Sequence, residues 1–554
     1  MDESALGALP RHAKDFWSFR TATYRFDAPL AVSKGEMPNL TDRHAEIADT
    51  ERLLDAAKRS GVAPAELAPL YLRLGVQLYG IPDLGRALEA LQLAEANYAT
   101  ARDERNRAAA LGNLGVIYQA KGDLEAALKA QEQALAIHRE LGDRERIAYL
   151  LDNISLIYQA KGELEAALET QEEALAIHRE FGDRKGEAIG LGHIGLVHQV
   201  KGDLEAALKT QQEALAIHRE IGDRKGVANA LGYIGVTYRA KGNLEAALKT
   251  QQEALAIHRE TGQRLGVANA LASIGLIYQH KGDLEAARMG LEEALAIHRA
   301  NGYRAGAANV LTRLGLVYKD QGDLDAARKA LEEALAIHRE NGYRAGAANA
   351  LAGLGLVYKD QGDLEPARKT LEEALAIHRE VGYRRQVAND LTSLGLTYKE
   401  QGDLEAARKA LEEALAIHRK NGDRHGVANA LATIGLVYRD QGDLEAARKV
   451  LEEALSIHRE SGYGQGVANA LGYIGLIDRA KGDREAALKA LEQALAIHRE
   501  IGYRKGVVDA LVNIASIHRE MGDLEAARRA DEEREEYKKN KRPPASRGTI
   551  PLRE

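Results

Sequence analysis

A histidine recurs every 40 residues along most of the chain, from His138, His178 and His218 onward to His498. Imidazole serves as a metal ligand and a general base, so this ladder is the first candidate for chemistry. Zinc, however, needs its ligands about 2.0–2.1 Å from one point, whereas packed helix axes lie about 8–10 Å apart. No carboxylate keeps a ligand spacing beside these histidines. The ladder is therefore predicted to be structural, as cations near a helix C-terminus, with no metal site.

Other reactive groups are repetitive or absent. Glu405 and Glu412 lie four residues from Lys409 and Arg408, which is the spacing of ion pairs on a solvated helix face. The glycines follow no strand and form no phosphate-binding fingerprint. The chain has no cysteine, which excludes disulfides, thiolate zinc sites and cysteine nucleophiles. We expect neither an enzyme nor a bound cofactor.

The amino-acid composition limits the kinds of partner that the protein can bind. The 554 residues carry a formal charge of −7, with 45% hydrophobic and 29% charged residues, which is a foldable composition. Neutralising phosphates needs a basic surface, so nucleic acid is not expected. The start lacks a basic segment followed by an apolar run, and no stretch of 18 apolar residues occurs. The expectation is a cytoplasmic protein without a membrane partner.

The elements that carry these side chains follow from the repeat itself. Within one unit, Val227, Leu231 and Ile234 have the spacing of one helix face, and Leu244 and Leu248 begin a second stripe after Gly242. One helix pair cannot bury both stripes, so the pairs must stack. The pattern predicts an all-α solenoid of about twelve antiparallel helix pairs over residues 64–540.

The order of small and apolar residues is specific enough to suggest a family. Leu231, Gly235, Tyr238, Gly242 and Ala247 recur in phase, and this order resembles the tetratricopeptide repeat. The 40-residue length is similar to that of the kinesin light chains and the LGN/Pins polarity adaptors. The resemblance implies a right-handed superhelix with a concave groove that is lined by the first helix of each pair and binds proteins or peptides.

Two segments fall outside the array. Residues 1–63 hold Phe16, Phe19, Phe26 and the only tryptophan, Trp17, and are predicted to be a cap or an extension that contacts the groove or a partner. Residues 541–554 are predicted to be a basic disordered tail.

The groove should carry the function, and its first candidate position is an asparagine. A carboxamide can both donate to and accept from the backbone of an extended peptide, although the same ladder could instead link neighbouring repeats. At a second position the residue type varies from repeat to repeat while the surrounding residues do not. Such variation is expected of a recognition site, although neutral sequence drift at an exposed position would produce the same pattern. The predicted peptide-binding residues at these two positions are Asn229, Asn269, Asn309, Asn349, Asn389, Asn429, Asn469, Tyr233, Arg313 and Tyr473.

A third candidate position becomes basic only in the second half. It holds Gln119, Gln159, Gln199, Arg239 and Gln279 in the first half, and in the second half the predicted peptide-binding residues Lys319, Lys359, Lys399, Arg439 and Arg479. This suggests two duplicated blocks that meet near residues 260–290. A basic stripe favours an acidic ligand, but Asp320 and its equivalents follow directly and could neutralise it.

The sequence therefore predicts a non-enzymatic protein-protein interaction scaffold that binds a peptide or partner protein, possibly acidic, in its groove. An alternative is a regulatory array whose groove is occluded by a segment of its own chain, with residues 1–63 as the candidate. Self-association through the ends of the array is a third possibility.

Overall fold

The computed structural model describes residues 40–81 and 83–539, and these form twenty-five α-helices with no strand. The all-α prediction is confirmed. Phe16, Trp17, Phe19 and Phe26 and the predicted tail at 541–554 lie outside the described residues. Within the part that is described, no helix has the length and apolar character needed to cross a membrane.

Helix α1 (Leu40–Arg59) precedes twelve helix pairs, which we number as repeats 1 to 12, with helix A first and helix B second in each. The pairs α2 to α25 are Pro64–Gly80 and Leu84–Thr100, Glu104–Lys121 and Leu124–Glu140, Arg144–Lys161 and Leu164–Glu180, Arg184–Lys201 and Leu204–Glu220, Arg224–Ala240 and Leu244–Glu260, Arg264–His280 and Leu284–Ala300, Arg304–Gln321 and Leu324–Glu340, Arg344–Gln361 and Leu364–Glu380, Arg384–Gln401 and Leu404–Lys420, Arg424–Asp440 and Leu444–Glu460, Gly464–Ala480 and Arg484–Glu500, and Arg504–Glu520 and Leu524–Lys539.

Each helix is bounded by residues suited to its ends. Gly162 follows helix A of repeat 3 in the left-handed region, with φ 79°, where a side chain would be strained. At the next helix A, the carboxylate of Asp183 accepts a hydrogen bond of 2.9 Å from the backbone N–H of Gly186. This N-cap satisfies a donor that has no partner inside the helix.

Glycine in helix A lets helix B approach closely. A Cβ on Gly355 would lie 2.6 Å from Cγ of the buried Leu371, and one on Gly235 would lie 2.8 Å from Nε2 of the buried Gln251. The glycines are therefore required by packing, as their recurrence predicted.

The curvature places helix A on the inside. Helices A of neighbouring repeats contact one another directly, whereas no comparable contact joins neighbouring helices B in the described residues. Elements on the inner side of a curve lie closer together, so helix A lines the concave surface and helix B the convex one.

Two superhelical turns lie directly on one another. Helix A of repeat 3 contacts helix A of repeat 9, and helix A of repeat 4 contacts that of repeat 10, so one turn takes six repeats. We call this boundary the seam. Nη1 of Arg384 lies 2.8 Å from Oε1 of Glu163 across it, and Tyr383 packs against Leu124 and Ala127.

The seam joins the A-to-B loops of the first turn to the B-to-A loops of the second. A Cβ on Gly162 would lie 2.7 Å from Nδ2 of Asn421, and one on Gly242 would lie 3.4 Å from Cγ2 of Ile501. The glycines that end helix A are buried at Gly122, Gly162, Gly202 and Gly242, but exposed at Gly322, Gly362, Gly402 and Gly442. Only the first set faces another turn.

Candidate functional site

The concave surfaces of the two turns form one continuous inner wall, because helices A meet end to end across the seam. The seven asparagines of the predicted ladder are all exposed on helix A. Several neighbours in sequence, such as Ala228 and Ala230 beside Asn229, are buried. Among the described residues, none of the seven carboxamides takes part in a side-chain hydrogen bond. Their donors and acceptors are therefore open to an incoming ligand.

The variable position is partly covered at its three named members. Tyr233, Arg313 and Tyr473 are half-buried. The ring of Tyr233 lies 3.7 Å from the position that a Cβ would take on Gly192, so it leans toward the preceding repeat. Burial raises the pKa of Tyr473, with a smaller contribution from Asp509. The polar ends of these three side chains can form hydrogen bonds at the surface of the inner wall.

The basic ladder is occupied by ion pairs within the chain. Nζ of Lys359 lies 3.3 Å from Asp360 and 3.2 Å from Glu400 of the next repeat, and Lys399 lies 2.9 Å from Asp440. Lys319 pairs in the same way with Asp320 and Asp360, while Arg439 and Arg479 pair with Asp440 and Glu520. The lysine side chains are only 17–20% exposed. This stripe is an inter-repeat charge ladder.

Two other arginines lack such partners. Nη1 of Arg239 lies 3.1 Å from Nε2 of His280, and within the described chain no carboxylate lies within ion-pair distance of Arg239 or Arg313. Burial lowers the pKa of Arg313, and the positive charge of Arg239 lowers it further. Burial and Arg239 together lower the pKa of His280 to about 4. The inner wall therefore holds two arginines without an ion-pair partner among the described residues, and one of them, Arg239, lies beside a neutral imidazole.

The histidine ladder is structural, but the prediction that it supplies cations to helix ends is wrong for most of its members. His338 is 1% exposed, and burial lowers its pKa to about 4, so the ring is neutral at pH 7. The rings pack beneath the next helix A, and a Cβ on Gly346 would lie 2.5 Å from Nδ1 of His338.

At His178 the pKa shifts in the opposite direction. Burial lowers its pKa, but hydrogen bonds of 3.1 Å to Asp152 and to Asp183 outweigh burial and raise the pKa to about 9. Neither here nor at any other place in the described residues do three histidine, aspartate or glutamate side chains converge as metal ligands would.

Sequence reasoning missed both the seam and the arginine pair. A signal for the seam was present, because the residue before helix A is Asp143, Asp183 and Asp223 in the first turn but tyrosine at five of the six equivalent positions in the second, where Asp423 is the sixth. The five are Tyr303, Tyr343, Tyr383, Tyr463 and Tyr503. These tyrosines make no side-chain cap, and Tyr383 packs into the seam instead. Arg239 and Arg313 lie in different repeats and at different positions, so no spacing in the chain links them.

The repeat units match a family model for the tetratricopeptide repeat, over residues 106–180, 186–260, 227–300, 266–340, 306–380, 346–420, 386–460 and 466–540. The matched segments cover well over half of the chain. The chain is a tetratricopeptide repeat protein. Tetratricopeptide repeat proteins bind protein partners and are generally non-enzymatic.

Solved structures resemble parts of this tetratricopeptide repeat protein. BtubC (BKLC) from P. vanneervenii is 19% identical with a TM-score of 0.35, over 42% of this chain and 98% of that one. A putative kinesin light chain with nearly identical TPR-like repeats from Podosopora anserina is 20% identical with a TM-score of 0.29, over 35% and 95%. The apo form of RapI is 18% identical with a TM-score of 0.39, over 49% and 97%. No curated protein matches the sequence.

Proposed function

We propose that this protein is a non-enzymatic interaction scaffold that holds an extended peptide segment of a partner protein against its inner wall. The proposal rests on the seven exposed asparagines, whose carboxamides have no partner in the described chain. Successive asparagines lie one repeat apart along the wall, and each offers a donor and an acceptor to a peptide backbone. Such contacts are independent of the ligand's side chains, so the variable position between them would supply selectivity.

The inner wall also favours an acidic segment, but through residues other than the basic ladder. Lys319, Lys359 and Lys399 already have carboxylate partners within the array. Arg239 and Arg313 have none in the described part of the chain, so a carboxylate of the ligand would relieve their repulsion. We therefore propose that acidic recognition is local to these two arginines.

A displayed random-peptide library, selected on the full chain, tests the asparagine ladder. Peptides enriched by the unaltered protein should bind far more weakly to the triple variant Asn349→Ala, Asn389→Ala, Asn429→Ala, because backbone contacts are lost. The control is Lys329→Ala with Lys369→Ala and Lys409→Ala on helix B, which leaves the inner wall intact. Equal binding of the peptides to both triple variants would contradict the proposal.

The arginine pair calls for a separate comparison on the same selected peptides. Arg239→Gln with Arg313→Gln should remove the preference for acidic peptides and most of the salt dependence of binding. Lys359→Gln with Lys399→Gln should change both only slightly, because those lysines are already paired. The reverse outcome would move acidic recognition back to the basic ladder.

A regulatory array is the second candidate, and the seam favours it. With two turns in contact, a ligand reaches the inner wall through the ends of the superhelix or after the seam separates. The occluding segment proposed at residues 1–63 is tested by deleting residues 1–39, which should increase peptide binding only if that segment covers the wall. The cytoplasm remains the expected compartment, with neither nucleic acid nor membrane as partner.

A further inference from the structure

The first turn carries on its outer end an apolar row that no other described residue covers, and we call this end the N-terminal rim. Leu141, Phe181 and Ile221 are the residues that follow helix B in repeats 2, 3 and 4, and they are 44%, 55% and 38% exposed. Such side chains are normally covered in soluble proteins, and three in equivalent positions of consecutive repeats form one row.

The equivalent residues of the second turn show what this position contacts. Val381, Asn421 and Ser461 are buried, because they lie in the seam. Asn421 faces Gly162, Ser461 faces Gly202 and Ile501 faces Gly242. The residue after helix B thus fits over the glycine that ends helix A six repeats earlier.

The matching glycines are vacant at the opposite end of the molecule, which we call the C-terminal rim. A Cβ on Gly402, Gly442 or Gly482 would meet no heavy atom of the described residues within 4 Å. One rim therefore has the side chains of a seam contact and the other has the recesses.

We propose that the two rims bind each other between copies of this chain, head to tail, by repeating the seam contact. Helix α1 packs against helix A of repeat 1, where a preceding helix B would lie, so a second copy has to begin one place after repeat 12. With α1 in that place, the six-repeat register brings Leu141 of the second copy to Gly402, Phe181 to Gly442 and Ile221 to Gly482. A heterologous contact of this kind generates an open filament.

Charge on the rims agrees with this register. In the seam, Arg384 begins a helix A and pairs at 2.8 Å with Glu163, which precedes a helix B. The equivalents on the rims are Arg144 and Arg184 on one side and the exposed Asp443 and Asp483 on the other. Arg144 also pairs with Glu180, and Arg184 with Glu187 and Glu220, so both arginines would share their charge between their own chain and the contact.

Two variants that each block one rim test the proposal by sedimentation velocity over a wide range of concentration. In the first, Leu141, Phe181 and Ile221 become glutamate, which faces the acidic C-terminal rim. In the second, Gly402, Gly442 and Gly482 become asparagine, which tolerates the left-handed conformation while filling the open space above each glycine. The control is Met289→Glu, an exposed apolar residue on a helix B away from both rims.

We expect the unaltered chain and the control to sediment faster as concentration rises, and each blocked variant to stay monomeric with its helix content unchanged. An equimolar mixture of the two blocked variants should form a one-to-one dimer, because each retains the rim that the other lacks. If the unaltered chain stays monomeric at every concentration, the proposal is wrong. This holds whether the apolar row of the N-terminal rim is exposed or is covered by residues 1–39. Assembly that survives either block, or a mixture that stays monomeric, overturns it as well. None of these outcomes depends on whether the inner wall binds a peptide.

Discussion

At the scale of single residues, the same amino acid has opposite roles at different positions of the repeat. Glycine inside helix A removes a clash at Gly355, where Leu371 lies beneath it, whereas a Cβ on Gly232 or Gly472 would meet no neighbour within 4 Å in the described chain. A glycine inside a helix costs about 0.5–1 kcal/mol relative to alanine unless packing requires it. The array therefore contains glycines that support the fold and glycines that weaken it.

Substitution by alanine should separate these two kinds. Gly355→Ala places a methyl group 2.6 Å from Cγ of Leu371 and should destabilise the protein by about 1–3 kcal/mol. Gly232→Ala should stabilise it by about 0.5–1 kcal/mol through helix propensity. Urea unfolding followed by circular dichroism measures both, and a shift in the same direction for the two variants contradicts the packing argument.

The buried histidines make stability depend on pH. Burial lowers the pKa of His298, His338 and His498 to about 4, below the value of 6.5 in an unfolded chain. The unfolded state therefore binds protons first, and stability present above pH 6.5 is lost as the pH falls. The loss should reach as much as ~2 kcal/mol per histidine between pH 6.5 and 5. Thermal melts across this range check it, and His338→Gln should reduce the slope.

His178 should behave in the opposite way. Its pKa is raised to about 9 by Asp152 and Asp183 despite burial, so its contribution is complete below pH 6.5 and is lost as the pH rises through 9. His178→Gln should therefore remove part of the decline in melting temperature between pH 7 and 9, while leaving the acid side unchanged. An unaltered alkaline decline would show that His178 is not held as a cation.

At the scale of the helices, local pattern predicted the elements well and their long-range partners poorly. Leu231, Ile234 and Gly242 fix a helix and its end within one repeat, so the helix pairs follow from spacing alone. The contact between Gly162 and Asn421 depends on how much each repeat turns, which is a sum of small packing angles. For the site, the exposed asparagines could be predicted, but the ion pairs of Lys359 were only a possibility and the pairing of Arg239 with His280 was not visible.

The residue that ends helix A also differs between the two turns. Helix A of repeats 2 to 6 ends in the seam, and helix A of repeats 8 to 12 begins there. The buried Lys161 is the last residue of helix A in repeat 3, whereas the exposed Gln401 is its equivalent in repeat 9. The duplication of two blocks remains a prediction about how this arrangement arose.

A pair of glycine variants isolates the seam. Gly162 and Gly402 both have a left-handed backbone, with φ 79° and 84°, so alanine at either site should cost about 1–2 kcal/mol of strain. Only at Gly162 does the new methyl group also meet Asn421, 2.7 Å away. Gly162→Ala should thus be the more destabilising and should enlarge the radius of gyration in X-ray scattering. Equal effects of the two variants would mean that the seam does not hold in solution.

At the scale of the whole molecule, the seam adds long-range contacts to an architecture whose stability otherwise comes from neighbouring repeats. Repeats 1 to 6 are coupled to repeats 7 to 12 as well as to their neighbours. The molecule is thereby a two-turn tube, and unfolding that begins in one turn should expose the loops of the other.

Hydrogen exchange offers an internal control for this coupling. The N–H of Gly162 donates to Gln159 at 3.1 Å and that of Gly402 donates to Lys399 at 3.0 Å, so the local bonds are equivalent. Gly162 is buried in the seam and Gly402 is exposed on the C-terminal rim. Exchange measured by mass spectrometry on the monomeric variant Leu141→Glu, Phe181→Glu, Ile221→Glu should be slower in the loop at 160–163 than in the loop at 400–403. Similar rates in this monomer would argue against stacked turns.

The six-repeat register also governs how a gene encoding this protein can gain or lose coding units. Removing repeat 5 would shift repeats 1 to 4 against partners one place further along the second turn. Gly162 would then face Ser461 in place of Asn421, and Glu163 would face Arg424 in place of Arg384. A small polar residue and an arginine are retained in both cases. Recombination between near-identical units can therefore change the length of the tube by whole repeats without opening it, whereas the loss of half a unit would not preserve the match.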